Sequence, residues 1–179
     1  ESRKLAATET GWAARAAAEY GQEIVRAFQK NADNFFAYYA RCKRTLVLDD
    51  WAQGASLESI EQNYTVNAFN AVGYGHVRGI ADATRFHLRA AHQIAAVIFI
   101  EGTADENAIE TYLKQLEEGL PEDALGLLEI GGNLGRGEYL ALYRAGLKTA
   151  DEVWASPSEK IAELLGAERT AEIENLRPA

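Results

Sequence analysis

The side chains best suited to contacting a ligand lie between positions 76 and 92, where basic and aromatic residues recur at helical spacing. At about 100° per residue, the charged ones fall within roughly 80° of one another on a helix, and Phe86 flanks them. They are Arg78, Asp82, Arg85, Arg89 and His92. Because arginine binds phosphate and an aromatic ring stacks on a base, this face suits a single strand of nucleic acid. The alternative is an amphipathic helix whose polar face is merely solvated.

A second candidate site is the glycine-rich turn at 131–135, which joins two short predicted helices. The first N–H groups of the second helix have no acceptor within that helix, so they can hold a phosphate. Asn133, Gly135 and Arg136 would form this contact, and Arg136 would add positive charge. A helix-hairpin-helix works in this way, gripping the nucleic-acid backbone without reading the bases. The alternative is a connection that packs internally or binds protein.

Motifs for catalysis and for metal or cofactor binding are missing from the sequence. It contains no Gly-x-x-x-x-Gly-Lys-[Ser/Thr] phosphate loop, no Gly-x-Gly-x-x-Gly after a strand and no Gly-x-Ser-x-Gly elbow. His87 and His92 would point about 140° apart on one helix, which disfavours a metal site. Cys42 has no histidine near it and is interpreted as a packing residue. We expect no catalytic residue, metal or cofactor in this chain.

The overall charge is acidic, but it is distributed unevenly. The 179 residues include 18 Lys and Arg against 27 Asp and Glu, a formal charge of −9, which excludes a uniformly basic nucleic-acid-binding protein. Segments 76–92 and 136–148 each carry +2, whereas 93–135 carries −8. The sequence therefore leaves room for a narrow track of nucleic acid and disfavours wrapping over the whole surface.

Cysteine content and hydropathy indicate the cellular compartment in which the protein is expected. A single cysteine cannot form an intramolecular disulfide, which is typical of a reducing compartment, and no apolar run reaches the length of a membrane span. We expect a cytoplasmic protein. Because the chain begins with Glu1 and contains no Met, we also expect that an N-terminal part of the protein is missing.

The elements that position these residues are predicted to be helices, since strand-like alternation is weak and Pro is sparse. Helices are predicted over 11–30, 33–51, 57–64, 75–100, 103–118, 121–130, 136–145, from 150 and from about 156 onwards. Their predicted N-caps are Thr10, Ser56, Thr103 and Thr149. Glycines at 54 and 119 are predicted to end helices.

The helix predicted over 75–100 has the most regular pattern. An apolar stripe at 4-3-4-3 spacing is expected to face a core along its whole length. Its members are Val77, Ala81, Thr84, Leu88, Ala91, Ala95 and Ile98. With a boundary placed near Gly119, the predicted architecture is all-α: a helical bundle over 1–119 followed by a small helix-hairpin-helix domain over 120–179.

Four blocks occur in a characteristic order: Leu46-Val47-Leu48-Asp49-Asp50-Trp51, Ile60-Glu61-Gln62-Asn63-Tyr64, residues 75–88 and residues 119–146. In this order and spacing they resemble the C-terminal region of the Ski-like superfamily-two DEAD/DEAH-box helicases of the archaeal DNA-repair type. The resemblance covers most of the chain from about Leu46 to Trp154. It implies a ratchet-like helical bundle followed by a helix-hairpin-helix domain.

The resemblance also implies functional residues and partners. The family opens its ratchet helix with a Gly-Asp-hydrophobic-Arg turn, which Gly75-His76-Val77-Arg78 resembles, and Phe86 stands where the family has Trp. Arg78 and Phe86 are thereby implied to touch a translocating single strand of DNA or RNA. The parent would be an ATP-dependent helicase whose N-terminal motor domains, outside this chain, bind ATP and Mg²⁺.

The hairpin of the family reads Pro-Gly-Val-Gly-Arg, and the matching stretch here is Gly132-Asn133-Leu134-Gly135-Arg136. Asn133 replaces a glycine, and Asn tolerates the left-handed conformation better than most residues. Glu138 and Leu140 stand where the family often has basic residues, which implies weaker phosphate binding.

Two other functions are compatible with the sequence. A helical scaffold for protein–protein interaction would use the acidic segment 93–135, which repels phosphates. A helix-hairpin-helix DNA glycosylase is a weaker alternative, because Gly137 and Glu138 follow Arg136 and no lysine nucleophile comes just after the hairpin.

Overall fold

The computed structural model describes residues 11–67, 71–99 and 105–177. Within these residues the protein consists of helices and has no strand, which confirms the predicted all-α class. The α-helices are α1 (Gly11–Tyr20), α2 (Gln22–Lys30), α3 (Phe35–Ala52), α4 (Leu57–Tyr64), α5 (Tyr74–Ile98), α6 (Glu106–Glu118), α7 (Arg136–Arg144), α8 (Ala150–Ala155), α9 (Ser158–Leu165) and α10 (Ala167–Asn175). A 3-10 helix over Glu122–Ile130 lies between α6 and α7.

The chain divides into two compact units. The first contains the described residues up to Trp51 together with 55–94, and the second contains Ala52–Gly54 together with the described residues from Ala95 onwards. By this division α6 belongs to the second unit. The domain boundary between residues 119 and 120 stays a prediction. Among the described residues, no helix is both long and apolar enough to cross a membrane.

The single helix predicted over 11–30 is wrong, because Gly21 divides it into α1 and α2. Gly21 has a φ of 87°, a conformation that interrupts a right-handed helix and favours glycine. The break changes which face of the helix is buried. Trp12 and Ala16 are buried, and an unbroken helix would place Ile24 on the same face, eight residues after Ala16. Ile24 is exposed, however, and Val25 is buried instead.

A glycine also divides the last helix that the sequence predicts. The single helix predicted from about residue 156 is two helices, α9 and α10, separated by Gly166 with a φ of 89°. The N-cap predicted at Thr149, before these helices, is confirmed, and it is part of a capping box. Thr149 Oγ1 accepts a hydrogen bond from the N–H of Glu152 at 3.2 Å, and the Glu152 carboxylate accepts one from the N–H of Thr149 at 3.3 Å.

The core of the first unit is organised around Tyr64 at the end of α4. Its ring stacks on Trp12 of α1 with 5.5 Å between centroids, and its hydroxyl donates to Asp50 Oδ2 of α3 at 2.8 Å. The Arg15 guanidinium lies 5.1 Å from the centroid of the same ring. Burial, followed by the hydrogen bond to Asp50, raises the pKa of Tyr64, so its hydroxyl remains a donor at neutral pH.

The prediction that the α5 stripe faces a core along its whole length is correct only for its first turns. Val77 and Ala81 are fully buried, and Leu88 is half-buried. Ala91 and Ile98 are exposed in the described part of the chain, which makes the prediction wrong for the last turns. The helix therefore continues beyond the core on which it begins.

The second unit buries aliphatic side chains from α6 to α10. The core includes Leu120, Leu127, Leu142, Val153 and Ile161.

Thr103, the predicted N-cap of α6, lies outside the described residues, and Asp105 caps this helix by accepting from the N–H of Asn107 at 3.1 Å. Gly119 ends α6 in the left-handed conformation, as predicted. Ser56 caps α4, also as predicted.

Gly54 is a glycine that the second unit requires, and its replacement tests the packing there. It has a φ of 78°, and an added Cβ would lie 2.9 Å from both Leu140 Cδ2 and Pro121 Cδ. Gly54→Ala is expected to lower the free energy of unfolding by about 2–4 kcal/mol, since backbone strain and overpacking act together. Urea-induced unfolding followed by circular dichroism would measure this change.

Gly146→Ala is the matched control. Gly146 has a φ of 86° but open space where the Cβ would lie, so only backbone strain of about 1–2 kcal/mol is expected. Equal losses in the two variants would contradict the close approach at Gly54.

Candidate nucleic-acid interface

The start of α5 is held in place by a chain of hydrogen bonds that begins just after Tyr64. The N–H of Val72 donates to Thr65 Oγ1 at 3.1 Å, and the N–H of Gly73 donates to His76 Nδ1 at 3.3 Å. The N–H of His76 in turn donates to the carbonyl of Gly73 at 2.9 Å. His76 thus has a local structural role in joining the loop to the helix.

One face of α5 carries a shallow groove that brings three of the predicted site residues together. The groove has a volume of about 290 Å³ and lies within the first unit. Its lining residues are Asp82, Arg85, Phe86, Arg89, Ala90 and Gln93. Phe86 is 72% exposed, which is unusual for a phenyl ring on a helix that buries another face. Two guanidinium groups and an exposed ring therefore share one stripe.

The remaining predicted residues of α5 lie beside this groove. Arg78 is seven residues, or about two turns, before Arg85 on the same face and is half-buried. His92 is half-buried and does not line the groove. Arg85 Nη1 lies 3.3 Å from Asp82 Oδ1, so one carboxylate reduces the positive charge of the groove.

The hairpin of the second unit makes its turn with two consecutive glycines. Gly131 and Gly132 have φ values of 70° and 67°. Asn133 does not adopt the left-handed conformation, although its side chain would tolerate it. An added Cβ on Gly132 would lie 2.7 Å from Leu176 Cδ1, so the side chain of Leu176, which is 41% exposed, would have to shift.

The N-terminus of α7, where a phosphate is predicted to bind, already holds a carboxylate. The N–H of Gly135 donates to Glu138 Oε2 at 2.6 Å. Arg136 Nε donates to the carbonyl of Gly119, the C-cap of α6, at 2.7 Å. Both predicted residues therefore contribute to internal hydrogen bonds in this structure, and Glu138 occupies the position of an anionic ligand.

Arg169 of α10 fixes that carboxylate in place. Its Nε lies 2.7 Å from Glu138 Oε1, its Nη2 lies 3.1 Å from Glu138 Oε2, and Nη2 also donates to the carbonyl of Asn133 at 2.6 Å. Such a forked contact is among the stronger pairings of arginine with a carboxylate. We call Arg169, Glu138, Gly135 and Asn133 the hairpin latch.

The hairpin latch lowers the pKa of the Glu138 carboxyl, chiefly through the hydrogen bond from Arg169 and further through the Gly135 N–H. Part of the latch could have been found in the sequence, because a Glu three residues after an N-cap is half of a capping box. Arg169 lies 31 residues from Glu138 and gives no local signal.

Comparison with known families adds no assignment: no family model matches this chain. Among the described residues, no group of three or more His, Cys, Asp or Glu side chains is arranged to hold a metal ion.

Acid should weaken the hairpin latch in a predictable direction. Because the pKa of Glu138 is depressed in the folded state, its stabilising contribution is present above the unfolded value of about 4.3 and is lost as pH falls through the folded value. Between about pH 5 and pH 3, the free energy of unfolding should therefore fall more steeply in the wild type than in Glu138→Gln. Parallel pH profiles would contradict the latch.

Removing the Glu138 carboxylate should open the α7 N-terminus to phosphate. Glu138→Ala frees the Gly135 N–H and one side of Arg169, so affinity for duplex DNA is expected to rise roughly threefold or more at low salt. Glu138→Gln retains an acceptor for the N–H of Gly135, so its affinity for duplex DNA should rise less. Glu129→Ala makes the same charge change at an exposed position in the same unit and serves as the control. Fluorescence anisotropy would measure the affinities, and equal gains in all three variants would show that only net charge matters.

Proposed function

We propose that this chain is the nucleic-acid-binding C-terminal accessory region of an ATP-dependent helicase and that α5 guides a single strand during unwinding. The observation that carries the proposal is Phe86, an exposed ring flanked along one groove by Arg85 and Arg89. The family resemblance adds Arg78, two turns earlier on the same face.

The chemistry of the groove favours a single strand over a duplex. An aromatic ring can stack only on a base that is unpaired or splayed out, whereas guanidinium groups bind phosphates in any strand. Stacking tolerates every base, because each has a π-face, so a strand could move along the groove without dependence on sequence. Sliding of this kind is what a guide in a translocating helicase requires.

The proposed assembly includes partners outside this chain. Motor domains N-terminal to it would bind ATP and Mg²⁺ and supply the hydrolysis, and this region would hold single-stranded DNA or RNA, in the cytoplasm. The hairpin residues Asn133, Gly135 and Arg136 receive a secondary role in the proposal, because the hairpin latch competes with phosphate at that site.

Single-strand binding by the 179-residue chain tests the proposal. Phe86→Ala should weaken binding to an oligothymidylate about five- to hundredfold, since stacking contributes about 1–3 kcal/mol per base. Arg78→Ala combined with Phe86→Ala should abolish measurable binding. Arg89→Ala should lower the slope of log affinity against log salt by about 0.7, the value for one phosphate of a single strand. Titrations at several salt concentrations, followed by anisotropy, would measure both effects.

Two variants control for these effects. Phe36→Ala removes another exposed ring from the same unit, on α3, and should leave binding unchanged. Phe86→Trp keeps a stacking surface and should preserve binding. If Phe36→Ala matched Phe86→Ala, or if no variant changed the affinity, the groove of α5 would not be the binding site.

The acidic character of α6 favours a protein-interaction scaffold as the second candidate. Glu106 and Glu110 are exposed, and Lys114 lies 3.1 Å from Glu117 and 3.0 Å from Glu118. This surface disfavours phosphates and suits a basic protein partner. A chain that bound no oligonucleotide at low salt would leave this candidate as the better one.

A further inference from the structure

Tyr74, the first residue of α5, is an exposed aromatic residue that neither predicted site includes. It is 54% exposed. Its ring packs against the ring of Trp51 on α3, with 6.2 Å between the two centroids and 59° between the two planes. Trp51 is almost completely buried, so the core of the first unit supports the Tyr74 ring, which is still accessible to solvent.

The contact with Trp51 holds the Tyr74 ring and leaves room for a ligand. Two rings at 59° make a tilted contact and not a parallel stack, so Trp51 covers at most one face of the Tyr74 ring. A base could stack on the other face. Because the ring is already held in place, it loses little conformational freedom when a ligand binds, which favours binding.

Tyr74 begins a row of residues on the surface of α5 that leads to Phe86. Residues four positions apart are neighbours on a helix. After Tyr74, the row contains Arg78, Asp82 and Phe86. The two aromatic residues are twelve positions apart, which corresponds to about 18 Å along the helix axis. The row therefore has an exposed ring at each end.

The charge along this row suits a phosphate backbone. Arg78 and Arg85 both lie between the two aromatic residues along the helix, and Arg89 lies just beyond Phe86. Asp82 also lies between them, but its Oδ1 is 3.3 Å from Arg85 Nη1, which reduces its repulsion of a phosphate. Residues 74–89 contain three Arg and one Asp, a formal charge of +2.

We propose that Tyr74 is a second base-stacking residue for the single strand on α5. One base of the strand stacks on Tyr74 and another on Phe86, while Arg78 and Arg85 contact phosphates between them. This inference rests on the proposed function and adds to it a further binding residue and a minimum length of strand.

The distance between the two rings sets that minimum length. A strand with the phosphate spacing of helical DNA, about 3.4 Å, covers about 18 Å with about five nucleotides, and a more extended strand needs fewer. Two adjacent bases are separated by a single step of the backbone, so they cannot reach Tyr74 and Phe86 together.

The probes for the test are octanucleotides that are abasic except for two thymines, which are either adjacent or separated by a varied number of positions. All of them carry the same number of phosphates, so only the spacing of the bases differs. The wild-type chain should bind thymines about three to five positions apart at least about fivefold more tightly than adjacent ones, because the second base then also stacks. Competition against a labelled octathymidylate, followed by anisotropy, would measure the affinities.

Variants of Tyr74 identify the ring responsible. Tyr74→Ala should weaken octathymidylate binding about fivefold or more and should bind all spacings of the thymines equally. Tyr74→Leu keeps an apolar side chain against Trp51 but has no aromatic face, so it should behave as Tyr74→Ala does even if the alanine variant folds poorly. Tyr74→Phe should recover most of the affinity.

Phe35→Ala is the matched control. Phe35 is 65% exposed on α3 in the same unit, and its ring also packs against another aromatic ring, that of Tyr39, with 6.4 Å between centroids. Its replacement should change neither the affinity for octathymidylate nor the dependence on spacing.

Two results would each overturn the proposal: equal affinity of the wild-type chain for all spacings, or a dependence on spacing that persists in both Tyr74→Ala and Tyr74→Leu. If Phe86→Ala weakened octathymidylate binding while the Tyr74 variants did not, the proposed function would stand and only the role of Tyr74 would be refuted. If neither residue affected binding, both proposals would fail.

Discussion

The hydroxyl and ring of Tyr64 make the contacts on which the first unit depends. The ring stacks on Trp12, the hydroxyl donates to Asp50, and Arg15 lies over the same ring, so one side chain joins α1, α3 and α4. Because Tyr64 is almost completely buried, its hydroxyl would lose water without gain if Asp50 were absent. A hydrogen bond from the N–H of Val72 to Thr65 Oγ1 then joins the residue that follows Tyr64 to the start of the helix that carries the groove.

The two candidate sites differ in how firmly a carboxylate of the protein already occupies the place where an anion would bind. Among the described residues that line the groove of α5, Asp82 is the one carboxylate, and its Oδ1 lies 3.3 Å from Arg85 Nη1 at the surface, where such pairs contribute little. At the hairpin, Glu138 accepts a main-chain N–H and is held by Arg169, so an incoming phosphate must displace a half-buried carboxylate. Under the proposed function, this difference favours α5 over the hairpin as the place where a strand would be bound.

Much of the helical pattern could be predicted because it depends on local chemistry. The Thr149 cap, the Gly54 and Gly119 stops and the start of α5 near Gly75 all follow from residues within a few positions of one another. Breaks at Gly21 and Gly166 were not predicted, because a glycine inside an apolar repeat is also compatible with a continuous helix. The grouping of Arg85, Phe86 and Arg89 follows from helical spacing, whereas the contact of Arg169 with Glu138 depends on tertiary packing and has no signal in the sequence.

Along α5, the residues that fix the helix in the core differ from those that are exposed at the surface. Val77 and Ala81 fix the helix in the core through its first turns, while Phe86 and Arg89 are exposed and contribute little to folding. Substitutions at the exposed positions can therefore test the proposed strand binding at almost no cost in stability. A surface of this kind can be retuned during evolution or by engineering, one residue at a time, without compensating changes in the core.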